Sequence, residues 1–526
     1  MSGGAPCGKS ILWGVGSAFV LVFACSTALA ATADETARVY AEHCAACHGA
    51  DRLGGSGPAL LPENLSRLRR PDAVRIIANG AAATQMPGFA GKLGAALIED
   101  LADFIHTPLA VPPRWGEDEI RRSRIAHVSA AALPAKPIFR ADPLNLFVVV
   151  ESGDHHVTIL DGDRFEPLHR FPSRFALHGG PKFTPEGRHV FFASRDGWIS
   201  KFDLYSFRTV VEVRAGINTR NLAVSGDGRF VMVANYLPHT LVLFDADLEL
   251  VKILEARDQS GRSSRVSAVY DAAPRRSFVA ALKDIPEVWE VSYDENAEPI
   301  PAGLIHDFRH KEGAFIPGRF NARRSILTEP LDDFLFTADY RQVLGTSREG
   351  GSAQVVHLDV RRRIATVDLS GMPHLSAGIT WEHEGRTVMA TPNLKEGVVT
   401  VVDVKTWQTV KRIRTLGPGF FLRSHEKTRY AWVDAMMSPH RDTLQVIDKV
   451  TLEVVRAVRP VPGKTLAHVE FTRDGRYVLA SLWEQDGALI VFDAATFAEV
   501  KRIPMRKPSG KYNVYNKVSG STGTSH

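Results

Sequence analysis

Short apolar runs ending in Asp, once in Tyr, return eight times, at residues 157–161, 199–203, 241–245, 288–293, 355–359, 398–403, 444–448 and 489–493. Their end points lie 42, 42, 48, 66, 44, 45 and 45 residues apart. Most follow a second run that starts after a turn such as Asp227-Gly228-Arg229 or Asp474-Gly475-Arg476. A repeat of this length cannot bury its apolar faces alone, and a ring of blades buries each unit against the next. Eight end points predict an all-β eight-bladed propeller over residues 137–526.

Ahead of the repeats stands Cys44-Ala45-Ala46-Cys47-His48. Two thiols with two residues between them and a histidine next are what covalent haem attachment needs: each sulfur forms a thioether, and His48 reaches the iron. Zinc would need a second ligand pair, and the only other cysteines are Cys7 and Cys25. Met86, in Thr84-Gln85-Met86-Pro87-Gly88-Phe89, supplies a soft thioether for the opposite face of the haem, on a loop stiffened by Pro87. With both axial positions filled, this iron carries electrons rather than doing chemistry. The short helical pattern around these residues, including 95–104, predicts a small all-α cytochrome c domain over 31–108. The proline-rich stretch from Thr107 to Pro113 opens a linker, 109–136.

Residues 1–30 read as a signal peptide, with Lys9, an apolar run over 11–29 and the cleavage site Ala28-Leu29-Ala30. An uncleaved anchor or a lipid on Cys25 is the alternative, although Phe23 is bulky for a lipobox. Cleavage predicts a periplasmic protein with no membrane span in the mature chain, and it removes Cys7 and Cys25. A net charge of +5 over 526 residues is too weak to argue for nucleic acid.

The repeat also places chemistry. The start of each innermost strand, and the turn between the next two strands, lie on one mouth of the channel. Counting back 25 residues from Asp203, Asp245 and Asp493 gives His178, Arg220 and His468. His374 lies 29 before Asp403, and Phe420 lies 28 before Asp448. The turns add Arg195, Lys283, Arg341, Lys395 and Trp483. A lone rim histidine is most often a plain surface residue. Several at equivalent blade positions, among cations and aromatics, suit a flat polyanionic ligand, with histidine for a metal and Arg or Lys for carboxylates. A second tetrapyrrole fits this description, and an anionic sugar or peptide fits it less well.

The order of signal sequence, short cytochrome c and propeller, closing with Gly510-Lys511-Tyr512-Asn513-Val514-Tyr515-Asn516-Lys517, resembles the cytochrome cd1 nitrite reductase family over essentially the whole mature chain. The resemblance implies one covalent haem c and a non-covalently bound haem d1 or dihydro-haem d1. It makes His178, in Arg174-Phe175-Ala176-Leu177-His178-Gly179-Gly180, the ligand of the d1 iron, and His374, in Gly371-Met372-Pro373-His374, a distal-pocket histidine. Nitrite reductases of the family carry a second distal histidine in a Phe-Leu-His-Asp-Gly-Gly motif. This chain reads Leu331-Asp332-Asp333-Phe334-Leu335-Phe336 there. Two distal histidines supply protons as the N–O bond of nitrite breaks, so the loss of one argues against nitrite reduction.

The chain is similar instead to family members that oxidise a propionate of dihydro-haem d1 to the acrylate of haem d1, the last step of haem d1 biosynthesis. On that resemblance His468 is the base that removes a carbon-bound proton, and Arg195, Arg220, Lys283 and Arg341 hold carboxylates. Electrons pass to the c haem and then to an external electron acceptor, and a cytochrome cd1 nitrite reductase receives the product. The fifth unit, 66 residues long, aligns loosely, which leaves His310 within reach of the pocket. A nitrite reductase and a non-enzymatic haem d1 carrier are the alternatives.

Overall fold

The computed structural model describes residues 33–55, 57–66, 68–81, 86–177, 179–347 and 352–520. The signal peptide read over 1–30, and His178, lie outside the described residues. Among the described residues no helix is long and apolar enough to cross a membrane.

The N-terminal body holds helices α1 (Ala33–His43), α2 (Ala45–His48), α3 (Pro62–Leu65), α4 (Arg70–Asn79) and α5 (Ala95–His106). Ile98, Leu101, Ala102 and Ile105 recur at helical spacing, so α5 turns one apolar face inward, where Val39 and Tyr40 of α1 share the same cluster. Buried Arg52 holds the C-terminal end of α5: its guanidinium donates to Phe104 O and, at 2.8 Å, to Thr107 O.

The segment read as a linker, 109–136, is a packed strap rather than a free tether. Within it α6 (Glu117–Ser123) buries Ile120 in the core of the second and third blades. Residues Ile125–Ala126 then add an outer fifth strand to the second blade. Seven residues are too short for helical periodicity to stand out beside the prolines.

Beyond the strap, four-stranded antiparallel sheets follow one another as eight blades. Strands inside a blade are covered on both faces by neighbouring blades, and Leu146–Glu151 is accordingly buried at every position. The ring closes between the chain's two ends, because the C-terminal strand Pro508–Asn513 pairs with Leu146–Glu151 as the innermost strand of the first blade. Helix α7 (Val514–Val518) follows it. The long interval in the repeat comes from a hairpin, Ile300–Asp307 with Glu312–Ile316, inserted between the last two strands of the fourth blade. His310 sits at its tip, 78% exposed and 3.2 Å from Asp307, so it does not enter the pocket.

The helical body rests on the third blade's inner strand, Asn218–Val224. Ala59 and Leu61 pack on Ile217, Asn64 Nδ2 donates to Ile217 O (3.2 Å), and Asn218 Nδ2 donates to Glu63 O (3.3 Å). Arg214 also reaches across to Leu53 O. This seam lies two residues before Arg220, so the helical body stands beside the propeller mouth.

Candidate functional site

In the helical body, α2 winds the Cys-x-x-Cys-His run into one turn, with Cys47 N and His48 N both donating to Cys44 O (3.1 and 2.9 Å). His48 is buried, and its Nδ1 donates to Pro58 O at 2.8 Å. A carbonyl only accepts, so Nδ1 carries the proton and Nε2 keeps its lone pair for a metal. The ring lies in a cradle that only glycine permits: a Cβ on Gly57 would stand 2.8 Å from His48 Cε1. The Met86 loop is pinned to the end of α4 by Ala81 N to Met86 O (3.2 Å) and Phe89 N to Ile77 O (3.0 Å). Gly80 and Gly88 make that approach possible, since a Cβ on Gly88 would meet Ala78 O at 2.8 Å. Met86 and Cys44 share one apolar cluster. Two unpaired cysteines, an oriented imidazole and a thioether in one pocket fit a covalently held haem.

In the propeller, one half of the mouth is aromatic. Ring centroids run from His374 to Phe420 (4.1 Å), Phe420 to Phe421 (4.6 Å), Phe421 to His468 (4.6 Å) and His468 to Tyr512 (5.1 Å). This arc joins blades six, seven, eight and one. Buried Asp434 anchors it by accepting from Phe420 N (2.8 Å) and Phe421 N (2.9 Å), and burial raises its carboxyl pKa to about 6. His374 is hydrogen-bonded at both nitrogens: Nδ1 donates to Phe420 O (2.7 Å), and Nε2 accepts from the Ser376 hydroxyl (3.1 Å). Burial keeps this ring below its ordinary pKa, hence neutral.

His468 stands at a bulge in the strand Leu466–Phe471, where the register jumps between Ala467 and Val469 and φ is +47°. A side-chain-bearing residue in this left-handed region costs about 1–3 kcal/mol and persists where the surrounding fold imposes it. His468 is 1% exposed, and its Nε2 has no hydrogen-bond partner among the described residues. Burial, then the charges of Lys511, Arg423 and Lys517, holds its pKa well below 6.5.

The other half of the mouth is cationic. Arg220 and Arg265 lie near the Tyr236 ring at 5.8 and 5.5 Å, and Arg265 pairs with Asp284. Lys283 pairs with Asp332. Arg195 is fixed through its backbone, donating to Ala176 O (3.2 Å) and accepting from Thr219 N (3.3 Å). Where nitrite reductases of the family carry the second distal histidine, Asp333 accepts from the Tyr270 hydroxyl (2.9 Å) and from Ser376 N (2.7 Å). That position has become a support for the His374 turn.

Arg341 does not join this group. It lies in the turn between the first two strands of blade five, where Thr337 donates to Asp339 just as Thr184, Ser225 and Thr472 donate to Glu186, Asp227 and Asp474 in their blades. These turns face the opposite mouth. Arg341 pairs with Asp359 (3.1 Å) at the blade's outer surface, as Arg188 does with Asp203 and Arg429 with Asp448. The inserted hairpin shifts the count along this unit, which made the first turn look like the second.

Deeper in the channel lies a set of residues that the repeat count did not select: Lys182, Arg423, Glu470, Lys511 and Lys517. Burial lowers Lys182 to about 8 and Lys517 to about 7. Arg423 had a signal, because it lies 25 residues before Asp448. Lys511 and Tyr512 had none of this kind. Counting back from Asp161 lands on Lys136, whereas the first blade's inner strand comes from the C-terminus.

Residues 141–517 match the family described as Cytochrome D1 heme domain, and residues 31–105 match the one described as Cytochrome C oxidase, cbb3-type, subunit III. The chain is 54% identical over 489 residues to dihydro-heme d1 dehydrogenase of Pseudomonas aeruginosa, covering 93% of this chain and 95% of that protein. It also resembles protein NirF of the same organism (30% over 385 residues, 70% of this chain and 90% of that one). Nitrite reductase of Stutzerimonas stutzeri is more distant, at 24% over 540 residues and 92% of each chain. A solved structure of dihydro-heme d1 dehydrogenase NirN in complex with DHE aligns with a TM-score of 0.86 and 54% identity, covering 91% of this chain and 99% of that one. The chain therefore belongs to the cytochrome D1 haem-domain family, with dihydro-haem d1 dehydrogenase as a relative across nearly its whole length.

Proposed function

We propose that this protein is a dihydro-haem d1 dehydrogenase, converting one propionate of dihydro-haem d1 into the acrylate of haem d1. The observation that carries this reading is His468: a neutral, buried imidazole with a bare Nε2, set in a left-handed backbone on the aromatic arc. A carbon-bound proton needs such a base, within reach and unprotonated near neutral pH.

The arc from His374 to Tyr512 offers rings against which a flat macrocycle packs. Arg195, Arg220 and Lys283 face it from the other blades and orient its carboxylates, so that one propionate lies beside His468. His178 is the candidate ligand of the substrate iron. His374, hydrogen-bonded at both nitrogens, shapes the distal side. Asp333 in place of a second distal histidine removes the proton donor that nitrite chemistry requires. Cys44 and Cys47 would hold the c haem as thioethers, with His48 and Met86 on its iron, and that group supplies one-electron storage. The two electrons then leave in sequence to an external acceptor.

The signal-like N-terminus and covalent haem attachment support a periplasmic protein. Its product would pass to a cytochrome cd1 nitrite reductase.

The test adds dihydro-haem d1 and a one-electron acceptor anaerobically to protein carrying its c haem, follows the c-haem band, and weighs the extracted tetrapyrrole. Loss of two hydrogens with transient c-haem reduction is expected. An unchanged mass overturns the reading, and a nitrite assay on the same sample then separates a reductase from a carrier.

A further inference from the structure

We propose that Lys511 works with His468 as a proton relay, its amine receiving the Nδ1 proton as Nε2 takes the carbon-bound one. This rests on the assignment of His468 as the base.

Lys511 lies on the C-terminal strand that closes the ring and is 0% exposed. Its Nζ faces three atoms: His468 O, Ser481 Oγ at 2.9 Å and His468 Nδ1 at 3.3 Å. A neutral primary amine has two N–H groups and one lone pair. The carbonyl takes one N–H, the serine oxygen takes the other, and the lone pair then faces Nδ1–H. That arrangement leaves Nε2 with its lone pair and no proton. An ammonium would direct a third N–H at Nδ1 and force the imidazole proton onto Nε2. The base would then be blocked, and that N–H would point where no acceptor exists among the described residues.

The surroundings favour the first arrangement. Burial lowers the Lys511 pKa well below 10.5, aided by Arg423 and opposed by Glu470 and Asp434. The charged and titratable groups around the pair are Arg423 and Asp434 of blade seven, Glu470 of blade eight, Lys517 of α7 and Tyr512 of the same strand. Glu470, whose Oε2 has no hydrogen-bond partner among the described residues, is the carboxylate that acts most strongly on Lys511. It is the group positioned to stabilise the ammonium once formed.

The step balances as follows. Two C–H bonds break and a carbon–carbon double bond forms, releasing two protons and two electrons. One proton binds Nε2 while Nδ1–H passes to Lys511, leaving a neutral imidazole and an ammonium. The second proton goes to solvent, and the electrons go to two equivalents of the external one-electron acceptor.

The experiment is single-turnover acrylate formation across pH, with the full chain carrying its c haem, dihydro-haem d1 and excess acceptor. In the wild type, protonation of Lys511 flips the imidazole tautomer, so the rate falls on the acid side. For K511M we expect at least a tenfold lower rate, unchanged substrate binding and loss of that acid limb. K511R, a permanent cation, should be slower still. If K511M does not accumulate, S481A, which removes one anchor of the amine, carries the test with at least a threefold loss and a displaced limb. A wild-type rate and profile in the variant overturns the relay. H468A separates the two readings: full activity there overturns the base assignment, whereas loss there with K511M unaffected keeps the base and removes the relay.

Discussion

Cys44, Cys47 and His48 lie within five residues and one helical turn, and Met86 hangs from the end of α4 by main-chain hydrogen bonds. His374, Phe421, His468 and Tyr512 come from four blades, and 138 residues separate the first from the last. The first site is made by local winding of the chain. The second exists only when eight sheets close into a ring, because Lys511 and Tyr512 arrive on the strand that pairs with Leu146–Glu151. A site of the first kind is lost by changing one atom, while a site of the second kind can lose one function and keep its shape.

Removing a thiol breaks the comparison most severely. In C47S the covalent c haem should be lost from the denatured chain, measured as its absorbance after acid–acetone extraction, and multiple turnover should stop. Substrate binding to the propeller, followed by titrating dihydro-haem d1, should stay within about twofold, since no mouth residue depends on that thiol. Equal loss of both activities would make the two sites one cooperative unit.

Next comes H468A, in which acrylate formation should fall about 10²–10⁴-fold, the usual worth of a positioned base. The c-haem spectrum should not change. A spectrum that shifts with this variant would show the mouth and the helical body to be more tightly joined than their seam at Ile217 implies.

Asp434 tests the support of the mouth through pH. Its carboxyl titrates near 6 in the fold against 3.8 as a free side chain, so folding favours the protonated form. That contribution is complete below about pH 3.8 and is lost as pH rises through 6, a swing of up to about 3 kcal/mol. D434N carries no such proton. The unfolding free energy of the wild type relative to D434N should therefore decline between pH 4 and pH 7 in denaturant titrations, and a constant difference would place the carboxylate outside the buried setting described here.

The smallest effect belongs to H310A. Its ring is exposed on the inserted hairpin, so acrylate formation should match the wild type and stability should move by less than about 0.5 kcal/mol. A tenfold loss of rate would return this histidine to the pocket.

Much of this architecture is legible along the chain because a propeller repeats the same packing problem, and each blade meets it with a similar run of apolar residues. Counting within that repeat selected His468 and Arg220, and applied to Asp448 it also reaches Arg423. It went wrong at Arg341, where an insertion of one hairpin displaced the count and put an outer ion-pair arginine on the wrong mouth. It also treated Lys283 as an available cation, although Asp332, a neighbour only in space, pairs with it. The strap at 109–136 was hidden for another reason, since one buried isoleucine on a short helix has no periodicity to read.

By itself the sequence determined what depends on neighbours along the chain: the thiol pair and its histidine, the methionine loop, the strand rhythm and the number of blades. Each of these follows from local geometry or from the need of a repeat to cover its apolar faces. Only the tertiary structure decided which side chains meet. It brought the C-terminal Lys511 to the imidazole of His468, set Asp333 under the His374 turn, and lined a channel with buried charges whose protonation depends on one another. Those outcomes rest on distances between segments that share no spacing rule, because desolvation and charge act through space rather than along the chain.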